Sequence, residues 1–196
     1  LYGTGVTEYN TIKEEFAVPF IGVVKPGAKM AAQATKNKRI GIIATEGTIS
    51  SGIYEKFLKT TSPEVEVFGK ACPLFVPLAE EGWLDDVVTK QVAERYLAEL
   101  KEKQVDALVL GCTHYPLLRR VISEVMGEGV TLIDPGKVTA NYVKRYLEEN
   151  SLRAKTRGEY KFFVSDYPDG FGKLAEDFLM RKIESKIEKI DIEKYM

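Results

Sequence analysis

Short apolar runs alternate along the chain with longer stretches in which apolar positions recur every three or four residues. The runs predict buried β-strands, and the recurring positions predict amphipathic helices. We predict strands at residues 20–24, 40–44, 65–68, 107–110, 130–133 and 161–164. Strands separated by helices are typical of parallel βαβ units. The pattern therefore predicts an α/β fold built on a parallel sheet.

The helical spacing is clearest over residues 84–100, where charged residues occupy the side opposite the apolar stripe. Shorter helices are predicted near residues 9–16, 28–35, 53–58, 117–125, 138–147 and 171–179. Pro26-Gly27 is expected to end the first strand, and the proline-rich residues 74–78 to form an extended loop. Residues 181–196 mix isoleucines with charges, and no element is assigned to them.

The amino-acid composition makes some classes of function improbable for this chain. The 196 residues are 44% hydrophobic, enough to bury a sizeable core, and the formal net charge is -1. A non-specific nucleic-acid partner is not expected, because such binders carry excess positive charge. No apolar run approaches the ~18 residues that span a bilayer, and no signal-peptide pattern opens the chain. We therefore expect a cytoplasmic protein with neither a nucleic-acid nor a membrane partner.

The residues best suited to chemistry lie after the fourth predicted strand. Two cysteines, Cys72 and Cys112, are too few for a disulfide framework, and His114 is the chain's only histidine. Cys112 and His114 lie where a strand passes into a helix, at the sheet edge where α/β proteins bind ligands. A nearby imidazole and a helix N-terminus both lower a thiol pKa. Cys112 is therefore a candidate reactive thiol; the alternative is a packing residue beside a polar loop histidine.

Residues 111–118, Gly-Cys-Thr-His-Tyr-Pro-Leu-Leu, resemble the second cysteine signature of glutamate racemases. Further segments resemble that family in the same order: PFIGVVKPGA at 19–28, IGIIATEGTI at 40–49, CPLFVPLAEEG at 72–82 and LIDPG at 132–136. The resemblance extends from about residue 8 to residue 180.

The resemblance implies a fold of two similar doubly wound parallel-sheet domains, the first of them incomplete in this chain. Residues 19–124 would form the second domain, and residues 1–18 and 125–196 the remainder of the first. It also implies racemisation of L-glutamate to D-glutamate without a cofactor or a metal, for peptidoglycan synthesis. In that reaction two thiols on opposite faces of the substrate remove and return the α-proton.

By resemblance, Cys112 is one of the two acid/base thiols. Thr113 and His114 are substrate contacts, and His114 also tunes the Cys112 thiol. Glu81 is preferred over Glu80 as the acidic residue near the site; alternatively, both carboxylates simply begin the following helix. The hydroxyls of Thr45, Thr48, Ser50 and Ser51 are expected to cap helices rather than bind substrate. Cys72 is expected to be a packing residue.

The family's first cysteine belongs to an upstream Ala-Cys-Asn-Thr segment that these residues do not contain. The chain, which starts at Leu1, is therefore expected to be the later part of a longer enzyme and to lack racemase turnover on its own. Two alternatives remain: a racemase of a related substrate such as aspartate or a hydantoin, and a non-catalytic binding or regulatory module. An open sheet edge would also allow two chains to associate as a homodimer.

Overall fold

The computed structural model describes residues 19–156, 158–165 and 168–195. The chain divides into two compact units, Leu1–Asn150 and Ser151–Met196. The domain boundary expected after residue 124 lies inside the first unit, and the division into halves of a larger enzyme stays a prediction. Residues 1–18, including the helix expected near residues 9–16, lie outside the described residues.

The first unit alternates strands and helices, as the sequence predicts. In chain order its described elements are α1 (Val24–Ala34), β1 (Arg39–Ala44), α2 (Glu46–Ser50), α3 (Ile53–Thr61), β2 (Glu66–Ala71), α4 (Phe75–Glu80), α5 (Val87–Glu102), β3 (Ala107–Leu110), a 3₁₀ helix (Tyr115–Leu118), α6 (Arg119–Met126), β4 (Thr131–Ile133) and α7 (Pro135–Glu149).

The four strands form one parallel sheet in the order β2-β1-β3-β4. In the centre of the sheet, Ile40 of β1 lies opposite Val67 on one side and Ala107 on the other. All four residues of β3 are buried, which explains why its sequence is apolar throughout rather than alternating. The predicted α/β fold with a parallel sheet is confirmed.

Helices cover both faces of this sheet. Leu108 of β3 belongs to a core with α5 and α6 residues such as Leu97 and Ile122, whereas Val109 belongs to a second core with Leu58 of α3. The chain therefore leaves β1 over one face and β3 over the other. The carboxyl ends of β1 and β3 form the switch point at which doubly wound sheets bind ligands.

Two predicted elements are wrong for the same reason. Residues 20–24 are not a strand, because α1 begins at Val24, and residues 74–78 are not an extended loop, because α4 begins at Phe75. Pro26 and Pro77 are each the third residue of their helix. The first N–H groups of a helix have no intrahelical partner, so proline costs little there.

The second unit contains β5 (Phe162–Val164), α8 (Pro168–Leu179), β6 (Ile187–Lys189) and a 3₁₀ helix (Ile192–Tyr195). Strands β5 and β6 pair in parallel, so the tail left unassigned from sequence contributes a strand. Within the described part of the chain, no helix has the length and apolar character needed to cross a membrane.

Candidate active site

The loop after β3 is held tightly against β1 by Gly111. The Gly111 N–H donates to the Ile43 carbonyl at 2.7 Å. A Cβ at this position would lie 2.9 Å from the same oxygen and 3.0 Å from the Cβ of Ala44. Only glycine allows this approach without a shift of the backbone. The close contact places Cys112, the next residue, at the switch point between β1 and β3.

Cys112, His114 and Glu80 form a continuous series of contacts. The Cys112 Sγ lies 3.8 Å from the His114 Nδ1, and the His114 Nε2 lies 3.2 Å from the Glu80 Oε1. The His114 side chain is 20% exposed and the Glu80 side chain 50% exposed. The carboxylate at the end of α4 is thus linked through the imidazole to the thiol.

This arrangement is suited to moving a proton on and off sulfur. A carboxylate at Nε2 favours a proton on that nitrogen, which leaves Nδ1 facing Cys112 as an acceptor. The Thr113 Oγ1 also lies 3.3 Å from Nδ1. A thiol, an adjacent imidazole and a group that orients the imidazole are the components of an activated cysteine.

The pKa of the Cys112 thiol is raised from its ordinary value, mainly because the thiol is partly buried. Hydrogen bonding to the backbone N–H groups of His114, Thr113 and Tyr115, and to the Thr113 side chain, opposes this rise. The sequence suggested a lowered thiol pKa; that expectation is wrong for this structure, because burial outweighs the donors.

Cys72 lies in a different environment. It is completely buried, its Sγ lies 3.7 Å from the Lys70 carbonyl oxygen, and burial raises the pKa of its thiol to about 12. The packing role expected for Cys72 agrees with this burial.

The structure places Glu80, not the preferred Glu81, against His114. Glu81 follows the last residue of α4 and is exposed. The alternative that the two carboxylates begin the next helix is wrong, because Asp86 caps α5 by accepting from the Val88 N–H at 2.7 Å. Sequence reasoning missed the orientation of Glu80 because it treated α4 as extended and so assigned it no helical faces.

The hydroxyls after β1 act differently from one another. Ser51 donates to the Thr48 carbonyl at 2.7 Å and accepts from the Ile53 N–H, but the N-cap of α3 is Gly52 and no side chain caps this helix, so the capping expectation for Ser51 is wrong. Thr45 precedes α2 without capping it, and its Oγ1 lies 3.2 Å from the Thr48 Oγ1. The capping expectation for Thr45 is therefore wrong. Ser50 and Thr113 are exposed.

Two buried tyrosines near Cys112 were not predicted from the sequence. Tyr54 of α3 lies against Gly111, and both its burial and the nearby Cys112 raise the pKa of its hydroxyl. The Tyr115 hydroxyl donates to the Cys72 carbonyl at 2.8 Å. The helical spacing locates Tyr54 in a helix, and the loop motif locates Tyr115 after His114. Neither pattern indicates a contact with a residue that is distant in sequence. Among the described residues, no group of His, Cys, Asp and Glu is arranged to hold a metal ion.

Comparisons with known proteins agree on one family. The model of the Asp/Glu/hydantoin racemase family matches residues 5–143. The glutamate racemase of Geobacter metallireducens is 49% identical over 174 residues, 88% of this chain and 64% of that protein. This chain therefore spans about two thirds of the length of that relative.

Solved structures of glutamate racemases have a fold similar to that of this chain. The glutamate racemase isoform RacE1 of Bacillus anthracis has a TM-score of 0.87 at 33% identity, covering 94% of this chain and 69% of that one. The glutamate racemase of Francisella tularensis, in complex with D-glutamate, has a TM-score of 0.86 at 32% identity, covering 95% and 70%.

Proposed function

Because the chain belongs to the Asp/Glu/hydantoin racemase family, we propose that it carries one side of a racemase site for glutamate, with Cys112 as the acid/base thiol. The observation that carries the proposal is the series Cys112–His114–Glu80 at the switch point of the sheet. The glutamate racemases named above support glutamate as the substrate.

The chemistry is removal of the α-proton of glutamate by the Cys112 thiolate. That proton is a very weak acid, because the neighbouring α-carboxylate is already negative and no cofactor withdraws electrons. Donors at the carboxylate must therefore stabilise the charge that develops there. We assign this role to the hydroxyl and N–H of Thr113, which is exposed beside Cys112.

His114 and Glu80 supply the thiolate in this proposal. The raised pKa of Cys112 keeps the sulfur protonated in the resting site. His114 accepts this proton through Nδ1 when substrate binds, and Glu80 stabilises the resulting imidazolium through Nε2. Return of the proton through the same sulfur restores the original configuration at Cα.

Inversion needs a second thiol on the opposite face of the substrate. The 196 residues contain two cysteines, and Cys72 is completely buried. We therefore propose that these residues on their own exchange the α-proton from one face, and that racemisation requires a thiol from outside them.

The wider role follows from the same family. We propose that the D-glutamate serves peptidoglycan synthesis in the bacterial cytoplasm, as the bacterial relatives suggest. Association of two chains is supported by exposed apolar side chains on the first unit, among them Trp83 and Val87.

A second candidate function is a binding module without turnover. The observation that favours it is the single accessible thiol, since Cys72 is buried. Such a module would bind glutamate without exchanging its α-proton, so measuring binding and exchange together separates the two functions.

The test is uptake of deuterium at Cα when glutamate is incubated with the chain in D₂O, followed by proton NMR. We expect exchange with glutamate, much slower exchange with aspartate, and loss of exchange in Cys112→Ser. Cys72→Ser is the matched control, which should retain exchange because that thiol is remote from solvent. Exchange that survives Cys112→Ser would contradict the assignment; glutamate binding without any exchange would favour the binding module.

A further inference from the structure

The contact between Glu80 and His114 joins two segments that are distant in sequence. Glu80 is the last residue of α4, and His114 belongs to the loop after β3. The Glu80 side chain is half exposed, so neighbouring residues enclose only part of it and the position of its backbone in α4 matters. Its distance from the imidazole is therefore set by the position of α4.

Helix α4 is too short to hold that position alone. It has six residues and includes Pro77, and helices of this length are unstable in isolation. Its placement comes from packing along the helix, where Phe75 and Ala79 are buried, and from its amino end, where the Phe75 N–H donates to the Cys72 carbonyl at 3.1 Å.

Tyr115 contacts both the first residue of α4 and the segment just before it. Its hydroxyl donates to the same Cys72 carbonyl at 2.8 Å, and its ring packs edge-on against Phe75 with centroids 5.2 Å apart. Tyr115 is itself completely buried. It is also the residue after His114, so it fixes the imidazole segment and the start of α4 to one another.

We infer that Tyr115 is a positioning residue for the proposed acid/base site: through the Cys72 carbonyl and the Phe75 ring it holds α4, and with it Glu80, against His114. The chain runs from Cys72 through α4 to Glu80, and Glu80 contacts His114. Tyr115, the residue after His114, then donates back to the Cys72 carbonyl. The positioning role is argued from these contacts, and only its importance for catalysis rests on the proposed function.

A neighbouring tyrosine shows what distinguishes Tyr115. The Tyr96 hydroxyl accepts from the Leu74 N–H at 3.3 Å, and the Tyr96 ring packs edge-on against Phe75 at 5.4 Å. Tyr96 therefore holds the start of α4 against α5. It lies in α5, remote in sequence from the loop of His114, whereas Tyr115 is covalently attached to that histidine.

The test uses the ring signals of His114 in the full chain, which are unambiguous because it is the only histidine. Glu80→Gln should change its ¹⁵N and ¹Hε1 chemical shifts, since the carboxylate at Nε2 is lost. In a Tyr115→Phe background we expect the same substitution to change these shifts by less than half as much, because the pair is already separated. An undiminished response would overturn the inference.

Thr35→Val is the matched control. Thr35 is also buried, and its hydroxyl donates to Asp106 at the amino end of the same sheet. Its loss should leave the response to Glu80→Gln intact, and a response reduced equally in this background would show a general loss of stability rather than positioning, which also overturns the inference.

If Tyr115→Phe does not fold, Phe75→Leu replaces it, since it loosens the ring contact while leaving the hydroxyl. The same reduced response is expected, and a full response contradicts the inference. The His114 chemical shifts need neither glutamate nor turnover. The positioning role is therefore tested by these shifts and the proposed function by the deuterium experiment, and each can fail without the other.

Discussion

Replacing Gly111 by alanine should destabilise the first unit and displace Cys112. The new Cβ would lie 2.9 Å from the Ile43 carbonyl oxygen, closer than carbon and oxygen pack. That oxygen cannot move freely, because it accepts the Gly111 N–H at 2.7 Å. Relief therefore weakens a hydrogen bond worth about 1 kcal/mol, and overpacking adds strain. We expect a total loss of about 1–3 kcal/mol in the free energy of unfolding.

The assay is urea unfolding followed by the fluorescence of Trp83, the only tryptophan, which lies in the first unit. Gly47→Ala is the matched control, because nothing lies within 4 Å of a Cβ at that position in α2. It should be neutral or stabilising by up to about 1 kcal/mol. A Gly111→Ala chain as stable as the wild type would refute the close-approach argument.

Two further predictions concern other parts of the first unit. Burial tends to raise the pKa of Asp106, but hydrogen bonds from Thr35 and from the N–H groups of Asn37 and Lys36 lower it overall. The stability contributed by this carboxylate is present above its unfolded pKa and is lost as the pH falls through the lower folded value. Asp106→Asn should therefore lower the urea midpoint at neutral pH and remove that part of the acid dependence, and a variant whose midpoint falls with acid as much as that of the wild type would contradict the prediction. Iodoacetamide should label Cys112 well before Cys72 in native protein, since Cys72 is completely buried; equal labelling by peptide mass mapping would show that the burial assigned to Cys72 is wrong.

Apolar runs separated by helical segments predicted the four strands of the parallel sheet, because buried strands such as β3 are apolar at every position, but the apolar run at residues 20–24 is not a strand. Proline was the main source of error. Pro26 and Pro77 look like chain breaks in sequence, yet both lie in the first turn of a helix. Proline interrupts a helix when it lies in the helix interior, but it is well tolerated in the first turn. Local composition does not show which of these positions a proline occupies.

The candidate site was only partly predictable. The loop motif identifies Cys112 and His114 because both lie in one short segment at a strand end. Glu80 and Tyr115 depend on contacts between segments more than 30 residues apart, and these follow from packing rather than spacing. The thiol pKa likewise depends on burial, which a motif does not report.

The stereochemistry of α-proton exchange shows whether Cys112 serves one face of glutamate. L-glutamate and D-glutamate are incubated separately with the chain in D₂O, and deuterium content and configuration are measured for each. We expect deuterium in one enantiomer only, with its configuration retained and with no exchange in Cys112→Ser. Interconversion of the enantiomers by this chain, or exchange of either enantiomer in the absence of the Cys112 thiol, would contradict this expectation.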